Sequence, residues 1–188
     1  MSRNPAELKQ WPWTKWLFES RGASWIWLIV RLWLGIQWII QGGGKIVGTE
    51  KGWMASDDSI KGYIAYAQTA ATGDYPQVAY EWWVSILHVL DKLSPILAYA
   101  VPIGELLIGV GILLGGFTAL AAFFGAMLNF CFVLSGTAGV NPMYVVLEVF
   151  LMLSWRNAGY IGADQLLLKW IGTPWQPGTL FKKPAVAD

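Results

Sequence analysis

The chain has 188 residues, 55% of them hydrophobic and 13% charged, with a formal net charge of +1 at pH 7. So little polar material cannot cover a water-soluble globule of this size, and no basic stripe is available to neutralise phosphates; lipid is the expected solvent and nucleic acid is excluded as a partner. The single cysteine, Cys131, excludes an internal disulfide and with it an internal dithiol redox pair.

Residues 1–23 form a first tail, in which Pro12 before Trp13, Trp16 and Leu17 predicts a short interfacial helix with proline at its first position, where the missing N–H is harmless. The apolar run that follows starts late, is long and lacks a convincing small-residue cleavage site. It reads as a retained helix rather than a signal peptide. This run, 24–41, is the first of four predicted spans. The others are 96–114, 117–134 and 142–155, and two of the four approach the ~20 residues that cross a ~30 Å hydrocarbon core.

Residues 42–93 form a long outer segment that caps the bundle. Ile60, Tyr63, Ile64 and Ala67 share a helical face behind the capping candidates Asp58 and Ser59, and Val78, Trp82, Ile86, Val89 and Leu93 repeat the pattern. Two amphipathic helices are expected there, with Gly73-Asp74-Tyr75-Pro76 as the turn between them. Span two opens at Ser94-Pro95, and Pro102 inside it predicts a kink. Gly104, Gly109, Gly111 and Gly115 offer small surfaces for close helix approach, and Gly115-Gly116 allows only a tight turn into span three. Span four opens at Asn141-Pro142 and is about 14 residues, roughly 21 Å of helix. That is short for a bilayer, so either the 135–141 loop dips below the surface against protein or the membrane thins locally. Residues 156–188 form a second interfacial tail.

Many of the 13 tryptophans stand where runs begin or end: Trp11, Trp13, Trp16, Trp25, Trp27, Trp82, Trp83, Trp155, Trp170 and Trp175 read as interface anchors. Eight of the 13 basic residues lie in the two tails: Arg3, Lys9, Lys15, Arg21, Arg156, Lys169, Lys182 and Lys183. The outer segment sets Lys45, Lys51, Lys61 and Lys92 against Glu50, Asp57, Asp58, Asp74, Glu81 and Asp91, two more acids than bases. The positive-inside bias therefore puts both termini in the cytoplasm of a multi-pass cell-membrane protein. The predicted architecture is all-α: one membrane domain over 1–188, an integral membrane four-helix bundle with amphipathic helices in its outer segment.

Ionisable groups at membrane depth require a partner or a task. Arg31 and Glu105 are expected about 15 and 14 Å below the outer ends of their spans, meeting near the midplane either as an ion pair or as a proton or ligand site. Asn129 and Glu148, each roughly 9 Å down, form a second polar layer. There Asn129 either orients a carbonyl ligand or satisfies Glu148, and Glu148 either exchanges a proton or stays a silent acid. Lys45, in Gln41-Gly-Gly-Gly-Lys45, stands at the outer mouth as an interfacial lysine or an anion contact. Glu105, Arg31 and Glu148 are the candidate catalytic residues. Lys45, Asn129 and Asn141, the last at the mouth of the short fourth span, are the candidate binding residues. Cys131 reads as a buried apolar cysteine, and His88 lacks the companions a metal site needs, so no metal ligand is assigned.

Arg31-Leu-Trp-Leu-Gly35, Gly44-Lys45-Ile46, Pro102-Ile-Gly-Glu-Leu-Leu-Ile-Gly109 with Gly111 and Leu114-Gly115, and Asn157-Ala-Gly-Tyr-Ile-Gly-Ala-Asp164 occur in that order. The set resembles the DoxX/DoxD family of small bacterial and archaeal membrane proteins, from about Arg31 to about Leu168. The resemblance implies a four-helix membrane fold and, from its best-described branch, the large subunit of a thiosulfate:quinone oxidoreductase. It also implies recurring polar positions at Arg31, Lys45, Glu105 and Asp164. On that basis the expected function is a quinone-linked oxidoreductase subunit acting on a small sulfur anion, with membrane quinone as substrate. Glu105 or Glu148 would supply protons and Asn129 would meet a quinone carbonyl. The sequence shows no flavin, haem or iron–sulfur signature, so a second subunit would carry the electrons or the bound substrates would react directly. Two other readings stand beside this one: a non-catalytic anchoring subunit of a larger complex, and a small proton-coupled transporter using Arg31 and Glu105 as a relay.

Overall fold

A computed structural model of the chain describes residues 10–48, 53–54, 56–173 and 176–181. The tail residues Arg3, Lys9, Lys182 and Lys183, the loop residues Glu50 and Lys51, and Trp175 lie outside the described residues. The described chain is all-α apart from one antiparallel pair of two-residue strands, Gly172–Thr173 and Gln176–Pro177. Its helices are α1 (Pro12–Glu19), a 3-10 turn (Arg21–Ala23), α2 (Ser24–Val47), α3 (Asp58–Thr69), α4 (Glu81–Lys92), α5 (Ser94–Leu114), α6 (Thr118–Leu134), α7 (Asn141–Leu153) and α8 (Asp164–Trp170).

α2, α5, α6 and α7 share one core, built from Trp27, Leu34, Trp38, Ile108, Ile112, Ala122, Tyr144 and Leu151. α2 lies antiparallel along α5, and the approach depends on three glycines that face backbone. A Cβ on Gly35 would stand 2.8 Å from the Leu113 amide nitrogen, one on Gly109 2.9 Å from that of Ile39, and one on Gly42 3.0 Å from the Pro102 carbonyl. Backbone cannot swing aside as a side-chain tip can, so these positions hold the two axes close. The same contact explains why α2 runs six residues past the expected end at Gln41. Gly42-Gly43-Gly44 has poor intrinsic helix propensity, but Gly42 seats against α5 and Lys45 is tied to it, and tertiary packing overrides propensity.

α5 continues as one helix through Pro102 and ends on Gly115 at φ 65. Gly116 N–H donates to the Gly111 carbonyl and Gly115 N–H to that of Ile112, the paired bonds of a Schellman motif. The expected tight hairpin into α6 thus has a defined geometry. Phe117, at φ 50, is the one non-glycine residue with positive φ among the described residues and starts α6. The left-handed conformation costs a non-glycine residue roughly 1–2 kcal/mol. Asp164, considered below, holds it there.

Helices α3 and α4 occupy the expected cap segment and pack with the start of α5 around Ile60, Ile64, Ala67, Trp83, Leu87 and Ala98. The face expected for α4 is corrected by one position: Trp83 and Leu87 are buried, whereas Trp82, Ile86, Val89 and Leu93 are exposed. Both stripes are apolar, and the one chosen lets Trp83 Nε1 donate to Ser135 Oγ. The expected cap residues also shift: Asp57 occupies the N-cap position of α3, and Ser56 Oγ accepts from the Asp58 amide. Asp57 accepts from Lys61 at 2.7 Å and from Ser94 Oγ at 3.0 Å, joining α3 to the head of α5. Hydrogen bonding to Lys61 holds the Asp57 carboxyl below its ordinary range and raises the Lys61 ammonium. A depressed carboxyl stabilises the folded state above its unfolded pKa of about 4, and that contribution is lost as pH falls through the folded value. The protection of the amides in the first turn of α3, corrected for their intrinsic exchange, is therefore expected to fall below about pH 4 and to be flat from there to neutrality. An Asp57→Asn chain should show no such acid step.

Two segments, Arg21–Val47 and Ser94–Leu114, are long and apolar enough to cross a membrane, yet only 39% and 33% of their most apolar stretches are buried. The α6 and α7 helices are equally apolar but shorter, 17 and 13 residues. Ile29, Ile36 and Ile40 on α2, Leu107 and Leu114 on α5, and Phe124 and Phe130 on α6 point outward, while Arg31, Glu105, Asn129, Glu148 and Asp164 are buried. Large apolar side chains are thus exposed while ionisable groups are buried beside the apolar core.

Candidate functional site

One face of α2 organises the buried polar groups. Arg31, Trp38 and Lys45 are spaced by seven residues, two turns and about 10 Å per step, so they stack nearly in line. Each faces an acid brought by a different element: Asp164 at the start of α8, Glu148 on α7 and Glu105 on α5.

At the cap end, Lys45 Nζ donates to both oxygens of Glu105, at 2.5 and 2.6 Å. Glu105 is 0% exposed, and the Lys45 side chain 20%. The ammonium also lies 5.2 Å from the Trp53 ring centroid and 5.5 Å from that of Phe132, so two aromatic faces close around the ion pair. Tyr63 stands edge-on to Phe132 and shares a 2.8 Å hydrogen bond with Thr137.

In the middle, Glu148 Oε1 accepts from Trp38 Nε1 at 2.8 Å, and Asn129 Nδ2 reaches both carboxyl oxygens at 3.1 and 3.0 Å. All of these donors are neutral. Gly125 makes the room, since a Cβ there would come within 2.5 Å of Glu148 Oε1 and 3.2 Å of Ile108. Ile108 in turn lines a lateral groove of about 620 Å³ between α5 and α6, with Gly104, Gly111, Leu120, Leu128 and Cys131. The carboxyl is thus one side-chain layer behind an apolar groove.

At the opposite end, Arg31 donates to the Ile161 carbonyl at 2.6 Å and to that of Ile112 at 3.4 Å. The Asp164 carboxylate accepts from the Phe117 amide at 2.5 Å and the Thr118 amide at 2.9 Å, capping α6 from another element. Gly115 and Gly159 leave space for these groups: a Cβ on the first would overlap the Arg31 guanidinium, and one on the second the Asp164 carboxylate. Asn157 Nδ2 ties the same loop to the Leu17 and Ser20 carbonyls.

The expected Arg31–Glu105 midplane pair is therefore corrected. Glu105 lies opposite Gly42, eleven residues and about 16 Å along α2 from Arg31. The reason is the extra length of α2, which moves its outer end and brings Lys45 level with Glu105. Lys45 is accordingly ion-paired rather than a free charge for an incoming anion. The expected Asn129 and Glu148 layer is present, with the Asn129 amide spent on the carboxyl. Asn141 bonds the Thr137 carbonyl at 2.7 Å in the α6–α7 loop and touches none of the three layers. Cys131 is half-buried, facing the groove. His88 is exposed, 3.2 Å from Gln68, and no group of three metal-ligating side chains occurs among the described residues.

Trp38 and Tyr144 were not anticipated as site residues. Tyr144 is buried one turn before Glu148, and its hydroxyl lies 3.5 Å from Gln37. Trp38 stands in the middle of an apolar run, seven residues after an arginine, a position unlike that of a run-end tryptophan, and this was the available signal. Two expected anchors are corrected as well: Trp27 and Trp83 are buried, their indole N–H groups donating to Leu17 and Ser135. Trp11, Trp13, Trp25 and Trp170 are exposed. No protein-family model matches the chain, and no curated protein or solved structure matches it.

Proposed function

We propose that the chain is a multi-pass membrane protein of DoxX/DoxD type, with α2, α5, α6 and α7 as its four spans and both termini cytoplasmic, acting as a quinone-linked oxidoreductase subunit. The bilayer reading is supported by the many large apolar side chains exposed on the helices, by the ionisable groups buried between them, and by the basic tails. The observation that carries the functional reading is Glu148: a buried carboxyl held by neutral donors only, directly behind a lateral apolar groove. Reduction of a quinone takes up two electrons and two protons, and such a carboxyl is suited to holding one proton beside a lipid-accessible pocket. A small sulfur anion such as thiosulfate is the proposed electron source, two of them joining as tetrathionate. A companion subunit is the proposed electron carrier.

A second reading, a non-catalytic anchoring subunit, is favoured by one specific feature: the buried Arg31 and the partly buried Lys45 already face acids of the same chain. The two readings separate on a single variant. In detergent, with any copurifying partner retained, the wild type is expected to reduce a short-chain ubiquinone when thiosulfate is added. Glu148→Gln, which keeps the shape and one accepting oxygen for Trp38 and Asn129, is expected to slow that turnover about 100-fold, within the 10²–10⁴ range for a positioned acid, with helicity and yield unchanged. A wild type that neither binds nor reduces the quinone removes the oxidoreductase reading. Turnover unaffected by Glu148→Gln removes the carboxyl from it.

A further inference from the structure

Helix α1 has no buried residue, and beside it, towards the end of α7, lies a cleft of about 480 Å³. Its lining sets the polar Gln10, Thr14, Glu19 and Arg156 among the apolar Phe18, Leu153 and Trp155. Arg156 Nη1 stands 3.4 Å from Glu19 Oε1, longer than the 2.7–2.9 Å of a tight charge-assisted bond, and its guanidinium lies 5.3 Å from the Trp155 ring centroid. Both charged groups therefore retain unused bonding capacity, since a guanidinium has five donors and a carboxylate about four acceptor sites. Thr14 spends its hydroxyl proton on the Trp11 carbonyl and keeps its lone pairs for a donor. Phe18 is fixed from behind by stacking on Trp27 and Phe150.

We propose that this cleft binds the phosphoethanolamine headgroup of a membrane lipid, with the phosphate on Arg156, the ammonium on Glu19 and Thr14, and the acyl chains leaving over Phe18 and Leu153. The assignment rests on the reading that the chain is embedded in a bilayer with this end at headgroup level. The cleft offers one cation and one anion a few ångströms apart, which a zwitterion satisfies together. A singly charged anionic head leaves Glu19 against a phosphate, and a choline head has no N–H to donate to it. Apolar side chains beside the charged pair suit a ligand that passes from headgroup to chain within one molecule.

The test uses the full-length protein in micelles containing equal amounts of phosphatidylethanolamine, phosphatidylcholine and phosphatidylglycerol of matched chains, with bound lipid read by native mass spectrometry. The ethanolamine lipid is expected to be retained about tenfold over the choline lipid, the effect of one charge-assisted hydrogen bond. Glu19→Gln is expected to abolish that ratio and to raise glycerol-lipid binding, because the carboxylate no longer opposes its phosphate, whereas Arg156→Gln lowers ethanolamine and glycerol lipids alike. Free phosphoethanolamine, which lacks the chains met by Phe18 and Leu153, is expected to bind at least about tenfold more weakly than the lipid. Equal retention of the three lipids, an unchanged ratio in Glu19→Gln, or equal binding of the free headgroup would overturn the proposal. If selectivity is absent while the chain still needs detergent, the lipid site fails and the membrane reading stands. A chain that stays dispersed without detergent removes both.

Discussion

Lys45→Met is expected to destabilise the fold by about 3 kcal/mol, near the lower end of the range for stranding one partner of a buried ion pair. Glu105 is fully buried, and its bonds within the described structure come from Lys45. Without the ammonium, the carboxylate must either stay charged in an apolar surround or take up a proton, and each alternative is unfavourable. The double variant Lys45→Met/Glu105→Leu removes both charges and keeps comparable volume, so most of the loss is expected to return. Reversible unfolding in mixed micelles, followed by far-ultraviolet circular dichroism, measures the three proteins side by side. A Lys45→Met chain as stable as the wild type would show that the aromatic enclosure of Trp53 and Phe132 holds this end without the charge. A double variant that loses turnover but regains stability would assign the pair to function rather than to folding.

Arg31→Met is expected to cost at least as much, about 3–5 kcal/mol, and to resist the same rescue. Its guanidinium binds two carbonyls from separate segments, Ile112 at the end of α5 and Ile161 in the loop before α8, beside the carboxylate of Asp164. Removing it strands the Ile161 carbonyl as well as a charge, while the Ile112 carbonyl keeps the Gly115 N–H. Asp164 cannot be neutralised in compensation, because its two oxygens hold the Phe117 and Thr118 amides at the start of α6 and keep Phe117 in its left-handed turn. Arg31→Met/Asp164→Asn is thus expected to be no more stable than Arg31→Met alone. Arg31→Lys should recover little, since a single ammonium cannot span the two carbonyls as a planar fork does. Recovery in the double variant would mean that charge, rather than the bonded geometry, is what Arg31 supplies.

Helix identities were legible in the sequence because the apolar runs are long and the punctuation is strong. Ser94-Pro95, Gly115-Gly116 and Asn141-Pro142 mark ends that the structure reproduces to within two residues. The Asn129 and Glu148 layer was legible for the same reason, since both depths were counted from well-marked ends. The Arg31 and Glu105 pairing failed because one end was hidden. Three successive glycines read as a helix stop, and only the contact of Gly42 with α5, invisible in a one-dimensional pattern, keeps that stretch helical. An error of six residues at that end exchanged the partner of Glu105 from Lys45 to Arg31. The partners of Asp164 were out of reach for a related reason: a side chain that caps a helix 46 residues earlier leaves no local signature.

The seven-residue spacing of Arg31, Trp38 and Lys45 makes α2 a ruler. Its three marks are read by acids anchored on three separate elements, so what the helix must preserve between positions 31 and 45 is phase and distance more than composition. Many exchanges of one outward-facing apolar residue for another leave the marks where they are. A single inserted or deleted residue does not: it turns everything beyond it by about 100° and slides it by 1.5 Å, carrying Lys45 off Glu105 while Arg31 stays in place. This segment is therefore open to substitution yet closed to changes of length, and a chain that lengthened it without losing its three contacts would have to do so by a whole number of heptads, with its acids displaced to match.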